Sequence, residues 1–283
     1  MLLMLGCRHR FKSAGFMILG LNLLLINQVL PQSSDSASVD QTRKEPRFHL
    51  SVSGIYAILE TNVRFESLNG MLGLKIGMED HLRLDKYRVM PLFSARIRIK
   101  NRHHIYGMYY NLPRKSSFVT EEEFEFDDQI IEAGIQVNSY FDLHALSVGY
   151  MYMLIQQEQA GLGVFANFFL ATADMGLSSD YEDINESGRI VGVLPNFGML
   201  PYYRINNRFG FSGMISLFFL TLDDFGGSIH TVGAQFDANL TRWLEMAVGY
   251  YLFDVSIEAV EPDFRGIFHY TYQGPFIGVG FRF

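Results

Sequence analysis

From residue 47 onward, apolar and polar residues take turns along the chain with a period of two. In Ser228–Leu240, His230, Val232, Ala234, Phe236, Ala238 and Leu240 share one face, and Thr231, Gly233, Gln235, Asp237 and Asn239 share the other. Phe209–Phe219 repeats this with Phe209, Phe211, Ile215, Leu217 and Phe219 set against Gly210, Ser212 and Ser216. Leu244–Leu252 and Phe93–Ile99 follow suit, the latter opposing Ser94, Arg96 and Arg98 to its apolar face. Strict alternation over such lengths is the mark of a β-strand with one apolar face. The minority face is small and polar, which suits the inside of a narrow barrel.

The connections between these segments come in two kinds. Short turns fall at 100–103, 157–159, 206–208 and 241–242, and longer, more acidic links at 59–86, 119–127, 176–188, 222–227 and 258–264. In outer-membrane barrels, short periplasmic turns alternate with long surface loops. Counting back from Phe283, placed on the periplasmic side, predicts up-strands near 47–58, 104–118, 160–175, 208–221 and 243–257. Down-strands are predicted near 87–99, 128–156, 189–203, 228–240 and 265–283. Parity requires 128–156 to be one long strand, with a bulge expected near Asp142. The expected fold is all-β: a single antiparallel transmembrane up-and-down barrel of about ten strands, with eight plus surface hairpins as the alternative count.

Composition agrees. Hydrophobic residues make up 48%, charged residues 19%, and mean hydropathy is +0.09, too low for a bundle of membrane helices. A net charge of −7 with scattered Lys and Arg argues against a nucleic-acid partner. The one cysteine, Cys7, precedes the predicted barrel, so no disulfide or cysteine metal site is expected there. The first residues read as a secretory address. Arg8, His9, Arg10 and Lys12 precede an apolar run, Ala14–Ile26, that is short for a membrane span. The predicted domains are a signal peptide with a polar tail at 1–38, a short periplasmic lead at 39–46 and the barrel at 47–283.

The last segment carries the most specific signal. Ile277, Val279, Phe281 and Phe283 line one face, with Gly278, Gly280 and Arg282 on the other. A final strand of this kind, ending in Phe, resembles the signal read by the barrel assembly machinery of Gram-negative outer-membrane proteins. The stretch from Asp263 through Gly274-Pro275 to Phe283 resembles the closing strand of small outer-membrane barrels of uncharacterised function. The resemblance implies an outer-membrane location reached through the periplasm. It implies Phe281 and Phe283 as the assembly signal, and outer-membrane lipid and lipopolysaccharide as surroundings. It implies no activity.

Chemistry is sparse. Arg96, Arg98, Glu132, Asp237, Glu245 and Arg282 are predicted to face the lumen as a charge cluster, either a structural ion-pair plug or a selective constriction. Asp237, Glu245 and Arg282 are expected to meet on adjacent strands. Ten strands is also the count of omptin-like proteases, but the Asp-x-His spacing of that family is absent; Asp80-His81, Asp127-Asp128 and Asp223-Asp224 are acidic-loop residues. His49 with Ser51 and Ser53, and His269 on the last strand, are the candidates for an esterase or lipid hydrolase. His103-His104 reads as a solvated turn, and the glutamates at 121–123 as a solvated loop face. No catalytic residue, metal or cofactor is expected. The leading role is non-enzymatic: structural, surface-interacting or a narrow solute path. A hydrolase acting at the barrel rim is the alternative.

Overall fold

The computed structural model describes residues 3–5, 46–67, 74–120, 124–126, 129–179, 185–221, 225–260 and 264–283. Apart from three residues, the expected leader with Cys7 lies outside them, as do Glu121–Glu123, Asp127-Asp128 and Asp223-Asp224.

The alternating segments form ten long strands: β1 (Phe48–Ser67), β2 (Tyr87–Lys100), β3 (His103–Val119), β4 (Gln136–Gln156) and β5 (Ala160–Ser179), then β6 (Asn185–Arg204), β7 (Phe209–Thr221), β8 (Phe225–Asn239), β9 (Leu244–Val260) and β10 (Phe264–Arg282). Each pairs antiparallel with the next, and β10 pairs with β1, so the sheet is a closed barrel. Three short pieces attach. Leu74–Gly77 pairs with β1, Leu3–Leu5 pairs with Gly188–Ile190 of β6, and Phe124–Phe126 forms a small hairpin with Gln129–Ile131.

Short turns gather at one end with Arg47 and Phe283; the long connections gather at the other. We call these the turn end and the loop end. Closure is tight at the turn end. Arg47 N and Phe48 N both donate to the Phe283 carbonyl (2.6 and 2.9 Å), and Phe283 N donates to Phe48 O at 2.9 Å. Higher up, the β10–β1 pairing skips Gly274-Pro275 opposite Tyr56-Ala57. Proline has no N–H to give, and a Cβ on Gly274 would lie 1.9 Å from the Tyr56 carbonyl oxygen, so only glycine fits.

Two corrections to the sequence reading emerge. The long strand expected at 128–156 starts at Gln136, because Gln129–Ile131 turns back on Phe124–Phe126 instead. The irregularity in β4 sits between Met153 and Ile155, not near Asp142, whose pairing with Asp174 is regular.

Two ladders stop short of the loop end. β2 and β3 pair only up to Leu92–Tyr110, and β6 and β7 only up to Phe197–Leu217. Beyond those points β3 stays on β4 as far as Val119, and β6 stays on β5 as far as Asn185. The wall therefore divides into a four-strand sheet, β3 to β6, and a six-strand sheet running β7 to β10 and on through β1 to β2. Their inner faces pack on one another. Phe141 stacks on Phe268 and Tyr270 (ring centroids 6.4 and 6.5 Å), Phe169 meets Phe253 at 5.1 Å, and Tyr110 meets Tyr272 at 5.7 Å. The molecule is a barrel at the turn end and a two-sheet sandwich at the loop end.

The outer wall explains the exposed apolar positions. Leu50, Val52, Phe93, Ile215, Val248 and Ile277 all point outward and stay exposed. They fall within about ten residues of the turn end, roughly what a tilted membrane-crossing strand needs. Among the described residues no helix is long and apolar enough to cross a membrane; the crossing is made by strands.

Candidate functional site

The lumen is the site where most polar side chains converge, and it changes character along its axis. At the turn end, inward positions of β1, β2, β8, β9 and β10 carry His49, Arg96, Arg98, Asp237, Glu245 and Arg282. Glu245 hydrogen-bonds His49 Nε2 and lies 3.4 Å from Arg282 Nε. Asp237 is held by Ser212 Oγ at 2.6 Å and Gln235 Nε2 at 2.5 Å, and the Arg96 charge acts on both carboxylates. So Glu245 and Arg282 meet as their neighbouring strands require, while Asp237 is satisfied by neutral donors on its own strand and β7. Arg98 reaches toward His104 across the β2–β3 pairing. Glu132 does not join them. It lies exposed beyond the hairpin at 129–131, where its backbone carbonyl accepts from Thr120 Oγ1 at 2.6 Å; β4 begins only at Gln136 and turns its odd-numbered residues, Val137, Ser139 and Phe141, inward, so an even-numbered position before it falls outside.

Above this cluster the lumen is lined by neutral pairs. Ser51 and Ser94 bond at 2.6 Å, Asn196 donates to Ser216 at 2.9 Å, and Asn167 donates to Ser147.

The loop-end half is different. Ile55, Leu59, Tyr110, Phe141, Tyr270 and Tyr272 are at most 1% exposed. Between Leu74–Gly77 and β2 the chain leaves the sheet and turns into the barrel mouth, burying Met78, Leu82 and Leu84. This inturned segment is fastened by polar bonds. Met78 N donates to Thr61 O (2.9 Å), Ser139 Oγ to Leu82 O (2.8 Å), and Thr61 N to Glu79 Oε2 (2.8 Å). Its anchor is Arg114, which has no exposed surface. Arg114 Nη1 donates to Glu79 Oε1 at 2.5 Å, Nη2 donates to Thr61 Oγ1 at 2.7 Å, and the guanidinium lies 4.8 Å from the Phe141 ring. Neither Arg114 nor Glu79 stood out in the sequence. Parity along β3 does put Arg114 on the face of Tyr110 and Leu112, which was the available signal.

The histidines resolve differently from the sequence expectation. His103 and His104 open β3 and split between its faces. His104 is buried in the lumen, whereas His103 bonds the Tyr150 hydroxyl at 2.5 Å on the outer side. His81 accepts from Gly77 N at 3.1 Å within the inturned segment. On the outer wall of β8, β9 and β10, Asp254 Oδ2 accepts from His269 Nε2 (2.8 Å) and Thr271 Oγ1 (2.7 Å), and His230 Nδ1 lies 3.6 Å from Oδ1. No group of three or more metal-ligating side chains is arranged to hold an ion among the described residues.

A closed ten-stranded wall, apolar outside and filled within, defines a transmembrane antiparallel β-barrel. No family model matches the chain, and no curated protein matches it in sequence. Solved structures do match in fold. The outer membrane protease OmpT of Escherichia coli aligns over 84% of this chain and 97% of its own, with 11% identity and a TM-score of 0.52. The translocator domain of the autotransporter NalP from Neisseria meningitidis covers 86% of this chain and 90% of its own, with 10% identity and a TM-score of 0.40.

Proposed function

We propose that this chain is an integral protein of a Gram-negative outer membrane with a sealed lumen, acting through its outer wall and loop-end surface and not as a solute path. The carrying observation is the loop-end half of the lumen, which, among the described residues, is filled by aromatic side chains at most 1% exposed and by the inturned Met78–Leu84 segment. The Phe-ended closing strand, the apolar belt and the short turns gathered beside Phe283 support the location, with the turn end toward the periplasm. The charge cluster at the turn end then serves as a structural ion-pair layer under the plug. The test is electrical. Purified full-length protein inserted in planar bilayers should migrate heat-modifiably on gels yet show no steady single-channel conductance; a reproducible conductance from the unmodified protein would overturn the reading.

A second reading, a hydrolase at the outer rim, is favoured by Thr271, His269 and Asp254 lying within hydrogen-bond reach on the outer wall. Asp254 and Thr271 there share one imidazole nitrogen, which does not form a proton relay from hydroxyl through imidazole to carboxylate. Release of a chromogenic ester that is lost in both T271A and H269A would establish it; equal rates in all three proteins would remove it.

A further inference from the structure

Each ladder that stops short of the loop end leaves a strand with one edge past its last partner, and the two edges are built differently. Beyond Tyr110, β3 carries Pro113 and Lys115, residue types with which natural sheets blunt an edge, and its Arg114 ties the inturned segment beside it. The stretch of β6 beyond Phe197 has neither device above Pro195: residues 185–194 contain no proline and no lysine, and Ile190, Val191 and Val193 are β-branched.

Two bonds at the turn end fix which way the β6 backbone faces. Arg204 N donates to Gln159 O beside β5 (2.6 Å), and Ile205 N donates to Phe209 O of β7 (3.0 Å). The β5–β6 register runs unshifted from Tyr203 to Asn185. Even-numbered residues therefore bond β5, while Arg189, Val191 and Val193 turn their N–H and C=O groups to the other side. Among the described residues, β7 supplies no ladder partner there.

One segment already uses this edge. Leu3–Leu5, part of the expected leader, pairs antiparallel with it, Leu3 opposite Ile190, Met4 opposite Arg189 and Leu5 opposite Gly188. The stretch also stands clear of the apolar belt. On its outer face Val191 neighbours Thr172, and Arg189 Nε donates to Asp174 Oδ1 at 2.5 Å.

We propose that the β6 edge at 187–193 is a strand-addition site for a short extended peptide of another protein, apolar and free of proline, open once the leader is removed. The backbone groups of Arg189, Val191 and Val193 pair with the peptide, and a peptide residue opposite Ile190, which is 5% exposed, shares its inward face. A second copy in the same membrane would present β6 running in the same direction, not the antiparallel one seen for Leu3–Leu5. The proposal names a partner class for the loop-end surface and rests on the reading given above.

The test uses the full-length chain refolded into detergent micelles, which keeps the leader. The probe is a fluorescein-labelled peptide of residues 1–6, Met-Leu-Leu-Met-Leu-Gly; the control is the same peptide N-methylated at Met4, equally apolar but unable to donate there. Met4→Pro, which unseats the chain's own segment, should bind the probe saturably and roughly tenfold more tightly than the unaltered chain does, and the control at least about tenfold more weakly than the probe. Photo-leucine at position 3 of the probe should label residues 189–191. Adding Val191→Pro should weaken binding at least about tenfold while heat-modifiable migration persists, because the Val191 N–H gives no bond to β5. Equal binding of probe and control, binding that Val191→Pro leaves unchanged, or a probe-free Met4→Pro dimer that Val191→Pro dissolves would overturn the proposal. Loss of heat-modifiable migration in the unaltered chain would instead remove the barrel reading beneath it, whereas an intact barrel that ignores the probe removes the edge site alone.

Discussion

The two halves of the lumen solve the same problem, filling a ten-stranded barrel, with opposite materials. At the turn end the filling is ionic and partly exposed; the Glu245 and Arg282 side chains keep 18% and 21% of their surface. At the loop end it is aromatic and dry, and an ion pair inside it, Arg114 with Glu79, keeps 0% and 9%. The difference teaches where charge matters to stability. A partly exposed pair is screened in part by water and more replaceable, whereas a buried pair has given up its hydration and depends on its partner.

That contrast is breakable by mutation, with unfolding in urea followed through the single tryptophan, Trp243, which stacks on Phe281 at the turn end. The largest loss is expected for Glu79→Ala. It strands a fully buried guanidinium and should cost about 3–5 kcal/mol. A cost below about 1 kcal/mol would mean that water reaches Arg114 and the dry half is not dry. Phe141→Ala should follow closely, at about 3 kcal/mol or more, since it removes a ring packed between Arg114, Phe268 and Tyr270. On the outer wall, Ile215→Lys places a charge in the apolar belt and should cost about 2–4 kcal/mol, while Ser228→Lys, nearer the loop end of β8, should cost at most about 1 kcal/mol. Equal costs for the two lysines would misplace the membrane boundary. The smallest effect is expected for Glu245→Gln, about 1 kcal/mol, because His49 and Arg282 retain an acceptor and partial solvent. Should Glu245→Gln match Glu79→Ala, the two halves would not differ in the way described.

Much of this is legible in the sequence. Alternation located all ten strands, and turn-length parity fixed their directions, because a side-chain period of two and the contrast between short and long connections are local properties. Face assignment also followed for Arg96, Glu245 and Arg282, which lie on inward positions of β2, β9 and β10. What could not be read locally was where ladders stop. Strands β3 and β6 outrun their partners because a second sheet offers their inner faces an aromatic surface, a fact about packing between distant segments. The same holds for Arg114. Its neighbours Leu112 and Pro113 gave no hint of a partner, and that partner, Glu79, sits in a stretch whose acidic residues looked like solvated loop. Glu132 differs for the converse reason: the backbone turns back at 129–131, and the inner face of β4 is its odd-numbered one, Val137, Ser139 and Phe141, so a polar residue at an even position lies outside.

The bonds joining Phe283 to Phe48 also carry a kinetic consequence. Every other long-strand junction joins neighbours in sequence, so those hairpins can zip progressively from their turns, whereas the last one joins the first and final strands and must wait for all the others. Until it forms, β1 and β10 are open edges with unpaired backbone, the state most prone to pairing with another chain. A substitution that weakens this junction, at Gly274 above all, should therefore show its effect in the yield of assembled barrel before it shows in the stability of barrels already closed.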